Sequence, residues 1–336
     1  MMLLLVLSLS LFSVYPLSIP SAIKAIKRPL TKTYDTLTNK PRTPEELKLG
    51  IAAFYDKSSE LWEDVWGEHL HHGYYDPPDR TDHVQAQVDM VDKLLDFADI
   101  NSADVINAID VGCGLGGSTR HIANRFPNCK QTTGITLSPF QEKRGNELCV
   151  NSKIADRAKV MVADALSMPF PDDSFDLVWS LESGEHMPDK KKFVSELLRV
   201  ANKKGTGESK IIICTWVTRD LKDNETRLRQ SERRLLRRIN RSYYLPEWCS
   251  GQDYVDILTA EGISSSQIKR DDWSWAIAPF WRAVIKSSLN LKSVVGLLKS
   301  GPRTIRGALA MWDMLTGFKK GTISLAVLAI NIPKKD

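Results

Sequence analysis

Asp110-Val111-Gly112-Cys113-Gly114-Leu115-Gly116-Gly117 stands where an apolar run, Val105 to Val111, gives way to a helical pattern reaching about Phe126. A buried strand turning through glycines into a helix is the opening unit of a doubly wound α/β fold. Glycine lets the backbone turn sharply and approach a ligand with no Cβ in the way. The helix start beyond it offers unpaired N–H groups to an anionic group. Gly112, Gly114 and Gly117 alone also satisfy the G-x-G-x-x-G dinucleotide fingerprint, so this loop by itself leaves a dinucleotide and S-adenosylmethionine both open.

Downstream, strands and helices alternate. Gln131–Leu137 reads as a strand and Pro139–Val150 as a helix. Lys159–Val162 and Phe175–Ser180 read as strands, Lys190–Ala201 as a helix and Lys210–Trp216 as a fifth strand. Short apolar strands in βαβ alternation predict a parallel sheet covered on both faces. After Trp216 the rhythm breaks. Arg219 to Arg241 carries nine basic and four acidic residues, a local charge of about +5. A helix over Pro246–Ala260 and a weak strand near Ile263–Lys269 follow, then a Trp-rich stretch from Trp273 to Phe318. Ile323–Ile330 closes the chain as a β segment, expected as an antiparallel seventh strand.

Three further features choose between the two ligands. Asp110 precedes the glycines, where a carboxylate can accept from an amino group such as the methionine part of S-adenosylmethionine offers. Val162-Ala163-Asp164-Ala165 ends the third strand, where Asp164 can accept from an adenine amino group. Met168-Pro169-Phe170-Pro171-Asp172-Asp173-Ser174-Phe175-Asp176-Leu177-Val178 then leads into the fourth strand. Together these resemble class I S-adenosylmethionine-dependent methyltransferases. No Tyr-x-x-x-Lys pair suggests hydride transfer. One position departs from the common pattern, because the second strand ends in Thr136 where an acid usually binds the ribose. Thr136 and Gln141, within G-x-T-L-S-x-x-Q, are expected to divide that task, as in a subgroup with tocopherol, sarcosine and mycolic-acid-modifying methyltransferases.

The resemblance sharpens after the fourth strand. Trp179-Ser180-Leu181-Glu182-Ser183-Gly184-Glu185-His186-Met187-Pro188-Asp189-Lys190 is similar to a signature of γ-tocopherol methyltransferases and their plant N-methyltransferase relatives. So are Trp66-Gly67 with His71-His72-Gly73-Tyr74-Tyr75, Tyr243–Ser250, Ala278–Ser287, Leu297–Gly301 and Gly307–Met311. The likeness runs over roughly residues 48–335, with the leader and the very basic composition of residues 227–241 outside it. It implies a seven-stranded Rossmann-like sheet with an N-terminal helical lid over 41–100 and a cofactor core over 101–216. Residues 217–336 would hold the rest of the core, with basic and aromatic caps over the substrate. It implies S-adenosylmethionine bound by Tyr55, Asp110, Gly112, Cys113, Gly114, Gly116, Thr136, Gln141, Asp164 and Ala165. The expected reaction methylates γ-tocopherol to α-tocopherol and δ-tocopherol to β-tocopherol. A small-amine or alkaloid N-methyltransferase, a methyltransferase of another prenylquinol or a sterol, and a silent binding protein on this fold are the alternatives.

A base near the phenol helps carbon attack. His186 is expected in that role, oriented by Glu182 or Glu185, either of which could instead hold the methionine ammonium. His71 and His72 are competing bases, and Tyr55 and Tyr74 are expected against the cofactor. Trp273, Trp275, Phe280, Trp281, Trp312 and Phe318 are expected to wall the lipid tail. Leu228, Leu235, Leu236 and Ile239 fall near one helix face among arginines, the composition of a helix lying on an anionic membrane.

Net charge is only +5 with no long basic tract, which argues against nucleic acid as partner. The five cysteines, Cys113, Cys129, Cys149, Cys214 and Cys249, form no C-x-x-C pair, so neither a metal site nor a disulfide framework is expected. Residues 1–40 read as a leader. Met1–Ser18 resembles the apolar core of a signal sequence, and Ala22–Lys40 reads like a transit peptide with five cations and one acid, Asp35. That order points to import into a plastid bounded by extra membranes, with an endoplasmic-reticulum anchor as the alternative.

Overall fold

The computed structural model describes residues 42–204, 207–280 and 301–333, so the leader, Trp281 and most of the Ala278–Ser287 stretch lie outside the described residues. Helix α1 spans Pro44–Trp66 and α2 His83–Phe97. Then come β1 (Asn107–Val111), α3 (Gly117–Arg125), β2 (Gln131–Thr136), α4 (Pro139–Asn151), β3 (Ala158–Val162) and β4 (Leu177–Leu181). A 3-10 turn, Gly184–His186, leads to α5 (Lys190–Val200) and β5 (Ser209–Thr218). The chain continues through α6 (Gln230–Tyr243), α7 (Gly251–Ala260), β6 (Ile268–Asp272), α8 (Gly301–Lys319) and β7 (Ile323–Ile332).

The seven strands form one sheet in the order β3-β2-β1-β4-β5-β7-β6. Strands β1 to β5 pair in parallel, while β7 runs antiparallel between β5 and β6. The doubly wound sheet and its antiparallel last strand thus follow the pattern read from the sequence. The chain winds outward in both directions from β1, so the strand order reverses between β1 and β4. A crevice opens there at the carboxyl ends of the strands.

Local chemistry sets the helix ends. Thr43 caps α1 by accepting from the Glu46 amide, and Glu46 returns a bond to the Thr43 amide. The helix expected from Pro246 starts only at Gly251. Ser250 and Asp253 cap each other's amides there, and Ser250 is bridged to Thr218 at the end of β5. β6 likewise begins later than expected, at Ile268, where it pairs with Ile330 of β7.

The arginine-rich segment is a helix, α6, but its apolar stripe is not available to a membrane. Leu235, Leu236 and Ile239 are buried with Met314 of α8 and Ile323 of β7. Arg238 is tied across to Asp313 of α8 at 3.1 Å. Among the described residues, the aromatics expected as one wall are divided between two clusters. Trp273 is buried in the core against Tyr74 and Phe97, Trp275 is exposed, and Phe280 packs with Trp216 against the His72 ring. The Trp273 ring, with its large apolar area, is drawn into the nearest core.

The seating of α6 on α8 predicts that Ile239→Ala, which empties a fully buried site, lowers unfolding free energy by about 2–5 kcal/mol. Urea denaturation measures this, and an unchanged midpoint would mean that α6 is not seated there.

Candidate functional site

A cavity of about 410 Å³ opens at the carboxyl ends of β1 to β4. Its inner wall is the glycine loop, with Asp110, Gly112, Cys113 and Gly114. Its outer wall is one face of α1, where Pro44, Lys48, Ile51, Ala52 and Tyr55 recur every three or four residues. The loop shape requires glycine: Gly112 has φ 85° and Gly114 φ 55°, and a Cβ on Gly112 would lie 2.3 Å from that of Ser183. Gly116 differs from the expectation. It caps α3 at φ 74°, and a Cβ there would meet Val160 rather than the cavity.

Asp110 is 2% exposed and accepts from Thr119 Oγ1 at 2.8 Å. Burial pushes its carboxyl up to about 7, a group that a nearby ammonium would return to the carboxylate. At the other end, Asp164 accepts from the Leu166 amide at 2.9 Å and pairs with Lys48 Nζ at 2.7 Å. Burial raises its pKa, but the Lys48 ammonium and that amide outweigh it, so the net shift is downward. Ala165 lines the same end. Thr136 donates to Gln141 Oε1 at 2.6 Å, and Gln141 Nε2 donates to Ser59 of α1 at 3.1 Å. Thr136 and Gln141 both line the cavity, with Ser138, which donates to Asp56 of α1. Acceptors at both ends suit a ligand with an ammonium at one end, an amino group at the other and hydroxyls between. The donor and acceptor set therefore fits S-adenosylmethionine.

The remaining candidates gather beyond β4. His186 lines the cavity with Nε2 3.1 Å from Tyr55 Oη. Its Nδ1 is buried with no hydrogen-bond partner among the described residues. Burial, helped by the Lys190 charge, lowers its pKa to about 4. Burial raises that of Tyr55, with Glu185 and Glu182 adding to the shift. Tyr55 therefore keeps its proton and donates to a neutral His186.

Neither acid orients His186, contrary to expectation. Glu182, in the left-handed region at φ 50°, takes the His72 amide at 2.8 Å and His72 Nδ1 at 2.6 Å. Glu185 accepts from Thr215 Oγ1 at 2.7 Å beneath the turn and does not line the cavity. Chain direction explains both: the loop after β4 turns Glu182 toward the N-terminal loop and Glu185 toward β5. His71 reaches the cavity, with Nδ1 2.9 Å from the His72 carbonyl and Nε2 3.0 Å from His69. Burial lowers its pKa. Tyr74 lies outside the cavity, against Trp273 and Trp275. Among the described residues no group of three or more His, Cys, Asp and Glu comes together as a metal site.

Sequence reasoning missed the polar side chains of α1, namely Lys48, Asp56 and Ser59. Their spacing with Tyr55 was the available signal, since residues 48, 55, 56 and 59 fall on one helical face.

The family described as "Methyltransferase domain" matches residues 109–207. The chain is 49% identical over 297 residues to a "Probable tocopherol O-methyltransferase, chloroplastic" of Oryza sativa subsp. japonica, covering 87% of this chain and 80% of that protein. It is 46% identical over 298 residues to the "Tocopherol O-methyltransferase, chloroplastic" of Arabidopsis thaliana, covering 86% and 83%. Among solved structures, the [4+2]-cyclase SpnF superposes with a TM-score of 0.69 at 21% identity, over 88% of this chain and 98% of that one, a likeness of fold alone. The glycine cradle, the acceptors at both ends and these relatives converge: the chain is a S-adenosylmethionine-dependent methyltransferase and belongs to the tocopherol O-methyltransferase family.

Proposed function

We propose that the chain methylates the chromanol ring of γ-tocopherol and δ-tocopherol, at the carbon ortho to the phenol, within a plastid. The match to relatives named for tocopherol, over 87% of the chain, carries the substrate. The Tyr55–His186 hydrogen bond supports the chemistry. The bound cofactor supplies an electrophilic methyl on its sulfonium. Asp110 holds the ammonium, Asp164 the adenine amino group, and Thr136 with Gln141 the ribose. Helix α1 acts as lid over all three.

Tyr55 Oη takes the phenolic proton as its own proton passes to His186 Nε2 while the ring carbon takes the methyl. The oxygen then regains a proton through the same pair as that carbon's own hydrogen leaves as the released proton, restoring the aromatic phenol. A phenol near pKa 10 does not give a proton to an imidazole near 4 in the ground state. The transfer becomes favourable only as the ring donates electrons in the transition state, where assistance raises kcat. Exclusion of water beneath α1 and alignment of ring carbon with sulfonium supply the rest of the rate. The leader, residues 1–40, directs import, and the enzyme sits peripherally on an anionic envelope membrane. Arg227, Arg229, Arg234 and Arg237 of the basic segment are exposed. With the apolar stripe of α6 buried, this contact rests on charge alone.

Labelled S-adenosylmethionine offered with γ-tocopherol, δ-tocopherol, plastoquinols and indole amines tests the substrate. Label should enter the two tocopherols, and label in the amines alone refutes the proposal.

Thr136→Asp should keep or tighten cofactor binding, because Gln141 can turn its amide to donate to the new carboxylate. A loss of roughly tenfold or more by calorimetry, in a folded protein, would show that the ribose is held elsewhere.

His186→Ala and Tyr55→Phe should each lower kcat by about 10²-fold with cofactor affinity almost unchanged. Should both stay active while His71→Ala or His72→Ala loses activity, the base lies on the N-terminal loop.

Anionic vesicles should sediment the enzyme at low salt and release it at high salt, at about 1 kcal/mol per basic residue near the surface. Salt-insensitive binding, or none, counts against charge-driven docking.

A further inference from the structure

The first turn of α5 reads Lys190-Lys191-Lys192, three cations at the helix end where the dipole favours acids. Lys191 and Lys192 are exposed to water, which screens the mismatch, but Lys190 turns inward. Its Nζ donates to the carbonyl of Gly184 at 2.7 Å and to that of Glu185 at 3.0 Å, the two residues immediately before His186. Tyr254 of α7 adds a bond to the Gly184 carbonyl at 3.3 Å. The nearest acids are engaged elsewhere, Glu185 with Thr215 and Asp189 with the Lys192 amide. A cation placed against both the dipole and its own hydration, and bonded to one turn, is placed for that turn.

We propose that Lys190 is a positioning residue of the transfer reaction: its ammonium clamps the Gly184–His186 turn and sets a fixed positive charge beside the imidazole, keeping His186 in its proton-accepting form. The inference rests on the Tyr55–His186 pair as the proton path. The charged and titratable groups facing His186 are Tyr55 from α1, Glu182 after β4 and Lys190 from α5, while Glu185 of its own turn is held by Thr215. Glu182 pulls the imidazole toward protonation, while burial and Lys190 oppose it. Lys190 itself stays largely charged at neutral pH. Burial lowers it to about 8, and Cys249 and Glu185 partly counter that fall.

Nuclear magnetic resonance titration of the His186 ring, assigned with His186→Gln, tests the charge directly in Lys190→Met and Lys190→Gln. Glutamine keeps a donor for the carbonyls without the charge, so a variant with an intact turn is available. In both variants the His186 midpoint should rise from near 4 toward 6.5. Removing a nearby cation makes protonation easier, so the acid limb of kcat should move to higher pH. At pH 6 kcat should therefore fall, by about fourfold at most if the midpoint reaches the free imidazole value, with the KM for S-adenosylmethionine unchanged. Lys190→Arg, retaining the charge, should keep the low midpoint. An unchanged His186 midpoint in either folded uncharged variant overturns the proposal. The titration uses no acceptor, so failure of the proton-path reading, seen as full activity in His186→Ala, is read separately.

Discussion

The site depends on one contact: a single polar face of α1 laid across the carboxyl ends of β2, β3 and β4. Asp56 meets Ser138 after β2, Lys48 meets Asp164 after β3, and Tyr55 meets His186 after β4. Glu63 anchors the far end on Arg144 of α4 at 2.6 Å. Each bond is modest, since exposed ion pairs contribute only about 0–1 kcal/mol. Their common placement matters more than their sum. They fix the height of the roof, and so the shape of the space in which cofactor and acceptor must align. The sheet supplies rigid strand ends, and α1 turns a crevice into a cavity.

Burial then sorts the titratable groups beyond β4. Glu182 and Glu185 are both buried, and two carboxyls so close cannot both ionise cheaply. Burial raises each, but the ring and amide of His72 outweigh it at Glu182 and lower its pKa. Glu185, lacking such a partner and facing the Glu182 charge, is pushed up to about 8. The result is one fixed negative charge at the cavity and one neutral acid beneath the turn. His186, also buried, is driven the opposite way and stays neutral. Position on the loop after β4, rather than residue type, assigns these roles.

Much of this was legible in the sequence, and the limits have physical causes. Period and turn chemistry gave the strands around Asp110 to within two residues or so, because short apolar runs flanked by glycine have few alternatives. The cavity residues at strand ends, Asp110, Thr136 and Asp164, followed from the same logic. Gly116 looked like part of the cradle, but its φ serves the start of α3. Partners across the fold were not legible: nothing local says that Glu182 meets His72, 110 residues away. The amphipathic stripe of α6 was real, but amphipathicity reports only that a face is covered. Here α8 covers it.

Hydrogen–deuterium exchange over residues 44–66 and 112–116, with and without S-adenosylhomocysteine, tests the roofing role of α1 most directly. The account predicts added protection in both segments together on binding, because the ligand is gripped between them. Protection of the glycine loop with no change in α1 would contradict it.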